Sequence, residues 1–238
     1  DNNVADVDPH WSPNGQELVF VRAAEDSGYP PRILLMLITV DGGSERLLLE
    51  CPSPCLGPKW SPDGELVTLS MEDSIWTIRR DSSDLQKVSG QKVTAATYPA
   101  WSPDGRRLVY WATLEANSVA QASRGDLAVL DLGTGEETIV LSGLAPLEPD
   151  WSPLGASILY SDQPAPEKWR TLFTLDLETG ATQRLIAYDL EYSLFDAVWS
   201  PDGRRIAFAY GSDITRSHLY ILDLSKREAP TSGPTTAP

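Results

Sequence analysis

The tripeptide Trp-Ser-Pro occurs five times in this chain of 238 residues, and each copy is followed two residues later by glycine. Successive copies stand 49, 41, 50 and 48 residues apart. A repeat of this period is typical of folds that stack one supersecondary unit in several copies, each burying its apolar face against its neighbour. The motif tryptophans are Trp11, Trp60, Trp101, Trp151 and Trp199. The sequence therefore predicts a repeat protein whose function lies on the assembled surface.

Each repeat carries four strand-like segments. The Ser-Pro-Asp-Gly sequence predicts a turn, because proline fixes φ at the second position and glycine accepts the positive φ that follows. In the third repeat, apolar or alternating runs follow at 107–111, 126–132 and 137–141, and the residues that lead into the next tryptophan supply a fourth strand. Four antiparallel strands per repeat form the blade of a β-propeller. The prediction is an all-β propeller with five blades.

The Trp-Ser-Pro-Asp-Gly signature, together with the Leu-Asp-Leu-Glu-Thr-Gly turn at 175–180, resembles the TolB-type propeller repeat. The similarity covers residues 3–228. This resemblance implies a ring that usually has six blades, so an incomplete six-bladed ring is the alternative to five blades. Propellers of this type serve as periplasmic protein-binding modules, as regulatory domains beside peptidases and as sensor domains, because one fold hosts many functions.

The last ten residues differ in composition from the repeats. We divide the chain into a propeller at 1–228 and a tail at 229–238, which is rich in Pro and Thr and has no large apolar residue. Since proline cannot donate to a β-ladder, the tail cannot form an ordinary central strand, and the fifth repeat lacks its fourth strand. We expect the tail to lie on the open edge of its own ring or on a neighbouring molecule. The residues predicted to contact that partner are Thr231, Pro234 and Thr235.

The charge of the chain restricts its partners, since the formal net charge is −15 at pH 7. Nucleic-acid backbones require clustered Lys and Arg, and anionic membranes also repel an acidic surface. The sequence has no apolar stretch of about 18 residues, which a membrane span would need. We therefore predict protein partners, copies of this chain among them, with neither nucleic-acid binding nor membrane insertion.

The two cysteines, Cys51 and Cys55, lie four residues apart in a proline-rich loop between the first and second repeats. Cysteines at this separation can form a disulfide without backbone strain, whereas a metal site needs more ligands. We predict a structural disulfide, with free buried thiols as the alternative. Because disulfides persist in oxidising environments, we expect an extracytoplasmic location, in the periplasm, at the cell surface or secreted.

Motifs of catalysis are missing from the sequence. It has no Gly-x-Ser-x-Gly elbow, no glycine-rich phosphate loop and no His-x-x-x-His pair. An active site needs titratable groups that converge, and no group of this kind stands out. We therefore predict that the protein is not an enzyme.

The eight tryptophans divide into two classes. The five motif tryptophans are predicted to pack between neighbouring blades, because every repeat shares their position. Trp169 is not a motif residue and lies between Lys168 and Arg170, after a loop. It is the candidate for an exposed contact with a partner.

A second set of equivalent positions lies three residues before each motif tryptophan. The strand that enters the motif is the innermost of its blade, so side chains at these positions can face the central channel. Carboxylates there could hold a hard cation such as Ca²⁺ through oxygen ligands, which is the one candidate cofactor; the alternative is that they cap turns or face solvent. The residues are Asp8, Gly57, Tyr98, Glu148 and Asp196. We predict a binding site at the channel mouth formed by these residues other than Gly57.

The function that these patterns favour is that of a non-enzymatic, extracytoplasmic propeller scaffold that binds other proteins. One alternative is a structural subunit that assembles into an extracellular fibre or surface assembly through its tail or its open edge. Another is a sensor or regulatory propeller that belongs to a larger receptor or peptidase.

Overall fold

The computed structural model describes residues 4–24, 31–41, 43–90, 92–114, 125–144, 148–163, 170–186, 193–211 and 216–226. Within these residues the backbone forms 19 β-strands and a short 3₁₀ helix at Leu224–Lys226. The strands build five antiparallel sheets, one from each repeat. The predicted all-β propeller with five blades is confirmed. Within the same ranges, no helix has the length and apolar character needed to cross a bilayer.

Each blade begins with the strand that ends at the motif tryptophan, and its other strands follow in chain order. Blade by blade, the strands are β1 (Val4–Trp11), β2 (Glu17–Ala24), β3 (Arg32–Thr39) and β4 (Glu45–Cys51); β5 (Leu56–Trp60), β6 (Leu66–Met71), β7 (Ser74–Arg79) and β8 (Gln86–Lys87); β9 (Ala95–Trp101), β10 (Arg107–Thr113), β11 (Gly125–Asp131) and β12 (Glu137–Leu144); β13 (Asp150–Trp151), β14 (Ser157–Asp162), β15 (Thr171–Asp176) and β16 (Thr182–Arg184); β17 (Ser193–Trp199), β18 (Arg205–Gly211) and β19 (Ser217–Asp223).

The first strands of the blades line a common axis. Strand β5 contacts β1 on one side and β9 on the other, and β13 contacts β9 and β17. The fifth blade has three strands within the described residues. The predicted partner residues Trp169, Thr231, Pro234 and Thr235, with the whole tail at 229–238, lie outside the described residues.

The repeated motif forms the turn that its sequence predicts. In the third blade the Ser102 hydroxyl donates to Asp104 Oδ1 (2.6 Å) and accepts from the Arg107 N–H (2.8 Å). The Gly105 N–H donates to the Ser102 carbonyl, and Gly105 has a φ of 68°, which a residue without a Cβ adopts at no steric cost. The motif glycine donates to the motif serine carbonyl in every blade, so the motif forms the turn between the inner strand and the second strand.

The blades pack face to face through their motif tryptophans. Trp60 lies in a cluster with Leu35 of the first blade, and Trp151 lies in a cluster with Leu127 of the third. Trp101 packs with Ile75 of the second blade in the same way. In each case the tryptophan of one blade covers the sheet of the blade before it.

Trp199 packs, half-buried, against the cluster that contains Leu172 of the fourth blade. Trp11 differs from the other motif tryptophans, because 54% of its surface is exposed. The prediction of a core position for Trp11 is wrong. The physical reason is that a motif tryptophan is buried by the sheet of a neighbouring blade, and Trp11 belongs to none of the core clusters of the described residues.

The loop between the first two blades is closed by a covalent bond. Cys51 and Cys55 form a disulfide, with their Cα atoms 6.3 Å apart. Both residues are buried in the cluster shared by these two blades. The predicted disulfide is confirmed, and it joins the end of β4 to the start of β5.

Candidate functional site

The position three residues before the motif tryptophan is a backbone irregularity in four of the five blades. Asp8, Gly57, Tyr98 and Asp196 have φ values of 53°, 56°, 54° and 37°, and the strand register shifts at each. A β-bulge turns the side chain away from the regular alternation of the strand. A positive φ is uncommon for residues other than glycine and is found preferentially at functional sites, so Tyr98 is the most informative of the four.

The side chains at these positions share one electrostatic environment. Burial raises the pKa of the Tyr98 hydroxyl, and the negative charges of Glu148, Asp8 and Asp196 raise that pKa further. Glu148 itself is half-buried, and burial raises its pKa, with Asp196 and Asp8 adding to the effect. The structure therefore places Asp8, Glu148 and Asp196 close enough to Tyr98 for their charges to act on its hydroxyl, and the binding role of these four residues stays a prediction.

Lys59 joins this group of side chains, and the sequence reasoning did not single it out. Its Nζ lies 3.8 Å from Glu148 Oε2, and its positive charge opposes the effect of burial on the pKa of Glu148. Lys59 stands two residues after Gly57 on β5, but the register shift between Leu56 and Lys59 interrupts the alternation of the strand, so the sequence pattern does not place it with the group. We call the group of Asp8, Lys59, Tyr98, Glu148 and Asp196 the channel mouth.

Part of the channel mouth is used to hold neighbouring blades together. Asp8 Oδ2 accepts a hydrogen bond from the Gly57 N–H (3.2 Å), which satisfies a backbone donor at the bulge of the next blade. A Cβ added at Gly57 would lie 3.4 Å from Tyr98 Cδ1, so glycine lets the tyrosine ring come close. Asp8 thus has a capping role, whereas no hydrogen bond between protein groups is seen for the carboxylate of Asp196 within the described residues.

Two titratable residues immediately before motif tryptophans link consecutive blades. The Trp199 N–H donates to Asp150 Oδ2 (2.8 Å), and the Trp60 N–H donates to His10 Nδ1 (3.3 Å). Burial raises the pKa of Asp150 to about 6, although the hydrogen bond from Trp199 acts in the opposite direction. Burial also lowers the pKa of His10 to about 4, and the nearby charge of Lys59 contributes. These two groups are structural, but their charges change with pH.

The channel mouth is better suited to attract a positively charged group through its carboxylates than to coordinate a metal ion. Within the described residues no three His, Cys, Asp or Glu side chains are placed to hold a metal ion together. Ca²⁺ takes 6–8 oxygen ligands at about 2.3–2.6 Å, a denser set than separate blades supply here. Calcium binding at Asp8, Glu148 and Asp196 stays a prediction.

No protein-family model matches this chain, but it is similar to known proteins, among them the following three. The uncharacterised peptidase YuxL of Bacillus subtilis is 28% identical over an alignment of 147 residues, and the match covers 45% of this chain and 22% of YuxL. TolB from Acinetobacter baumannii has a TM-score of 0.73 at 16% identity, over 89% of this chain and 51% of that one. A puromycin-hydrolysing peptidase of Mycobacterium tuberculosis has a TM-score of 0.69 at 16% identity, over 94% of this chain and 37% of that one.

These similarities establish a TolB-like β-propeller fold. The chain spans about half of the TolB chain and less of the two peptidases. The prediction that the protein is not an enzyme is wrong, because two of these three relatives are named as peptidases. The reasoning failed because missing motifs exclude only the catalytic sites that have such motifs.

Proposed function

We propose that the channel mouth binds a positively charged group of a peptide, and that it does so as the propeller of a peptidase-type enzyme. The observation that carries the proposal is the convergence of Asp8, Glu148 and Asp196 around Tyr98, with Lys59 as the one cation in this group. The four acidic or aromatic members come from four different blades, so only the assembled ring creates the site.

The electrostatics of Glu148 favour a cationic ligand. Its raised pKa means that burial disfavours the carboxylate and that the 3.8 Å ion pair with Lys59 compensates for this only in part. A second positive charge, such as a peptide amino terminus or a lysine side chain, would stabilise the ionised form. Tyr98 adds an aromatic ring over which a cation can sit. The same groups would repel an acidic peptide.

The peptidase assignment is supported by two of the similar proteins, YuxL and the puromycin-hydrolysing peptidase. In this proposal the propeller selects and orients the substrate, while the groups that cleave it are supplied by a peptidase domain. TolB-like architecture also supports a role in binding protein partners, of which peptide binding is one form. The disulfide supports an extracytoplasmic site of action.

The test uses fluorescence anisotropy with a fluorescein-labelled Lys-Gly-Ser-Gly amide. The double variant Glu148→Gln, Asp196→Asn should bind roughly tenfold more weakly, because two charge pairs contribute about 1–2 kcal/mol. The matched control is Glu178→Gln, which removes an exposed carboxylate in the turn after β15 and should leave binding unchanged. Equal affinity of the parent and the double variant would exclude the channel mouth as the site.

Further experiments test the charge dependence of binding and the peptidase activity separately. An acetylated peptide with norleucine in place of lysine has no positive charge and should not bind, and raised salt should weaken the charged peptide. Millimolar Ca²⁺ that displaces the peptide would show that the mouth prefers a cation alone. Hydrolysis of a lysine aminomethylcoumarin substrate by the protein purified from its native source tests the peptidase part separately, since binding without hydrolysis would leave only the peptide-binding part.

A further inference from the structure

The β-ladder registers identify one equivalent position on the third strand of every blade. Leu219 on β19 pairs with Ala209, which stands ten residues after the motif tryptophan Trp199. By the same register the equivalent residues are Leu35, Ile75, Leu127 and Leu172. All four of these are 0% exposed, whereas Leu219 is 76% exposed. The sheet face that is covered in blades one to four is therefore uncovered in the fifth.

The first blade, on the other side of the gap, has a corresponding exposed apolar residue. Trp60, Trp101 and Trp151 are at most 9% exposed, because each lies on the sheet of the preceding blade, but Trp11 is 54% exposed. On the fifth blade, Val198 and Ile221 pair with Ala207 on the same face as Leu219, and both are more than half exposed. We call Trp11, Val198, Leu219 and Ile221 the open seam.

We infer that the open seam is an interaction surface that accepts one further four-stranded blade of the same repeat. The seam continues a series of four blade–blade interfaces, each made from a motif tryptophan and an apolar residue equivalent to Leu219. The occupant would present a tryptophan to Leu219 and Ile221, and an apolar sheet face to Trp11. A contiguous exposed apolar patch on a protein surface marks a site of interaction with another protein segment.

One blade fits the seam better than other occupants. A blade has two faces, so a single element covers both sides of the seam, whereas a small molecule covers one. A second copy of this chain would bring another formal charge of −15 against the first, which opposes association. This inference is independent of the channel mouth, because none of the seam residues belongs to it.

The test adds one further blade to the chain and asks whether it covers the open seam. The chain is extended after Pro238 by a second copy of 92–144, which contains the motif tryptophan of the third repeat. Docking should abolish the fluorescence of the apolar dye anilinonaphthalene sulfonate, shield Trp11 from acrylamide quenching relative to Trp11→Phe, and raise the melting temperature by roughly 5 °C. A second extension with a copy of 52–90 guards against failure of one donor repeat to fold.

The matched control carries Leu219→Glu and Ile221→Glu in the host part of the extended chain. It should gain neither the dye effect nor the rise in melting temperature. If both parent extensions bind the dye as strongly as the unextended chain, the proposal is overturned. It is also overturned if the unextended chain forms concentration-dependent oligomers in sedimentation velocity that Leu219→Glu abolishes, because the occupant is then a second copy.

Discussion

Replacement of the buried carboxylate Asp150 with Asn should make the protein more stable above pH 6. Asp150 lies immediately before Trp151 and accepts the Trp199 N–H of the next blade at 2.8 Å. Its pKa is raised by burial from an ordinary 3.8 to about 6. Because one pKa unit corresponds to about 1.36 kcal/mol, this change in pKa corresponds to about 3 kcal/mol of folding free energy. Asn keeps an oxygen that can accept the same hydrogen bond and never ionises.

The sign of the pH dependence follows from the direction of the pKa change. Because the pKa of Asp150 is higher in the folded than in the unfolded protein, its stabilising contribution is complete below about pH 4 and is lost as the pH rises through about 6. His10 acts oppositely: its pKa of about 4 in the folded protein means that its contribution is present above its ordinary 6.5 and is lost as the pH falls through 4. Comparing the variant with the parent at each pH cancels the effect of His10.

The assay is urea unfolding of the parent and Asp150→Asn between pH 4 and pH 8. The variant should be no more stable at pH 4, and its advantage should grow to about 2–3 kcal/mol by pH 8, or roughly 4–12 °C in melting temperature. A difference that does not change with pH, or a variant that is less stable at pH 8, would refute the assignment of Asp150 as a desolvated carboxylate.

Two further predictions concern the core. Trp101→Ala should cost roughly 3–5 kcal/mol in thermal or urea unfolding, because it opens a cavity between two blades, and Trp11→Ala is its matched control with a much smaller loss; equal losses would contradict the open seam. Replacing Cys51 and Cys55 with Ser should cost less than about 3 kcal/mol, because so short a loop removes little entropy from the unfolded chain. A loss above that value in urea unfolding would show that the bond does more than close its own loop.

Much of the fold was predictable because it depends on local chemistry that recurs. The motif turn needs a serine and a glycine at fixed spacing, and in the third blade an aspartate between them adds the bond of Ser102 with Asp104. The channel position was predictable for the same reason, since equivalent residues in a repeat occupy equivalent places. Asp8, Tyr98, Glu148 and Asp196 therefore share one environment, as their spacing from the motif indicated.

What the sequence did not reveal depends on relations between blades. Lys59 pairs with Glu148 across the axis, and only Lys59 among the residues that precede a motif tryptophan is a lysine, so no repeated pattern points to it. Trp11 has the same motif as the other four tryptophans, but it is exposed because no sheet among the described residues packs on it. The similarity to proteins named as peptidases was also missed, because it is recognised by comparison rather than by a motif in these residues.

The channel mouth is proposed to be a partly buried carboxylate site that binds the positive charge of a peptide. The most direct measurement is a ¹³C NMR titration of the Glu148 carboxyl group, assigned with Glu148→Gln, in the presence and absence of the Lys-Gly-Ser-Gly amide. The free protein should show a Glu148 pKa above its ordinary 4.5, and the peptide should lower it, because a bound cation stabilises the carboxylate. A Glu148 pKa that is unchanged by saturating peptide would contradict the account.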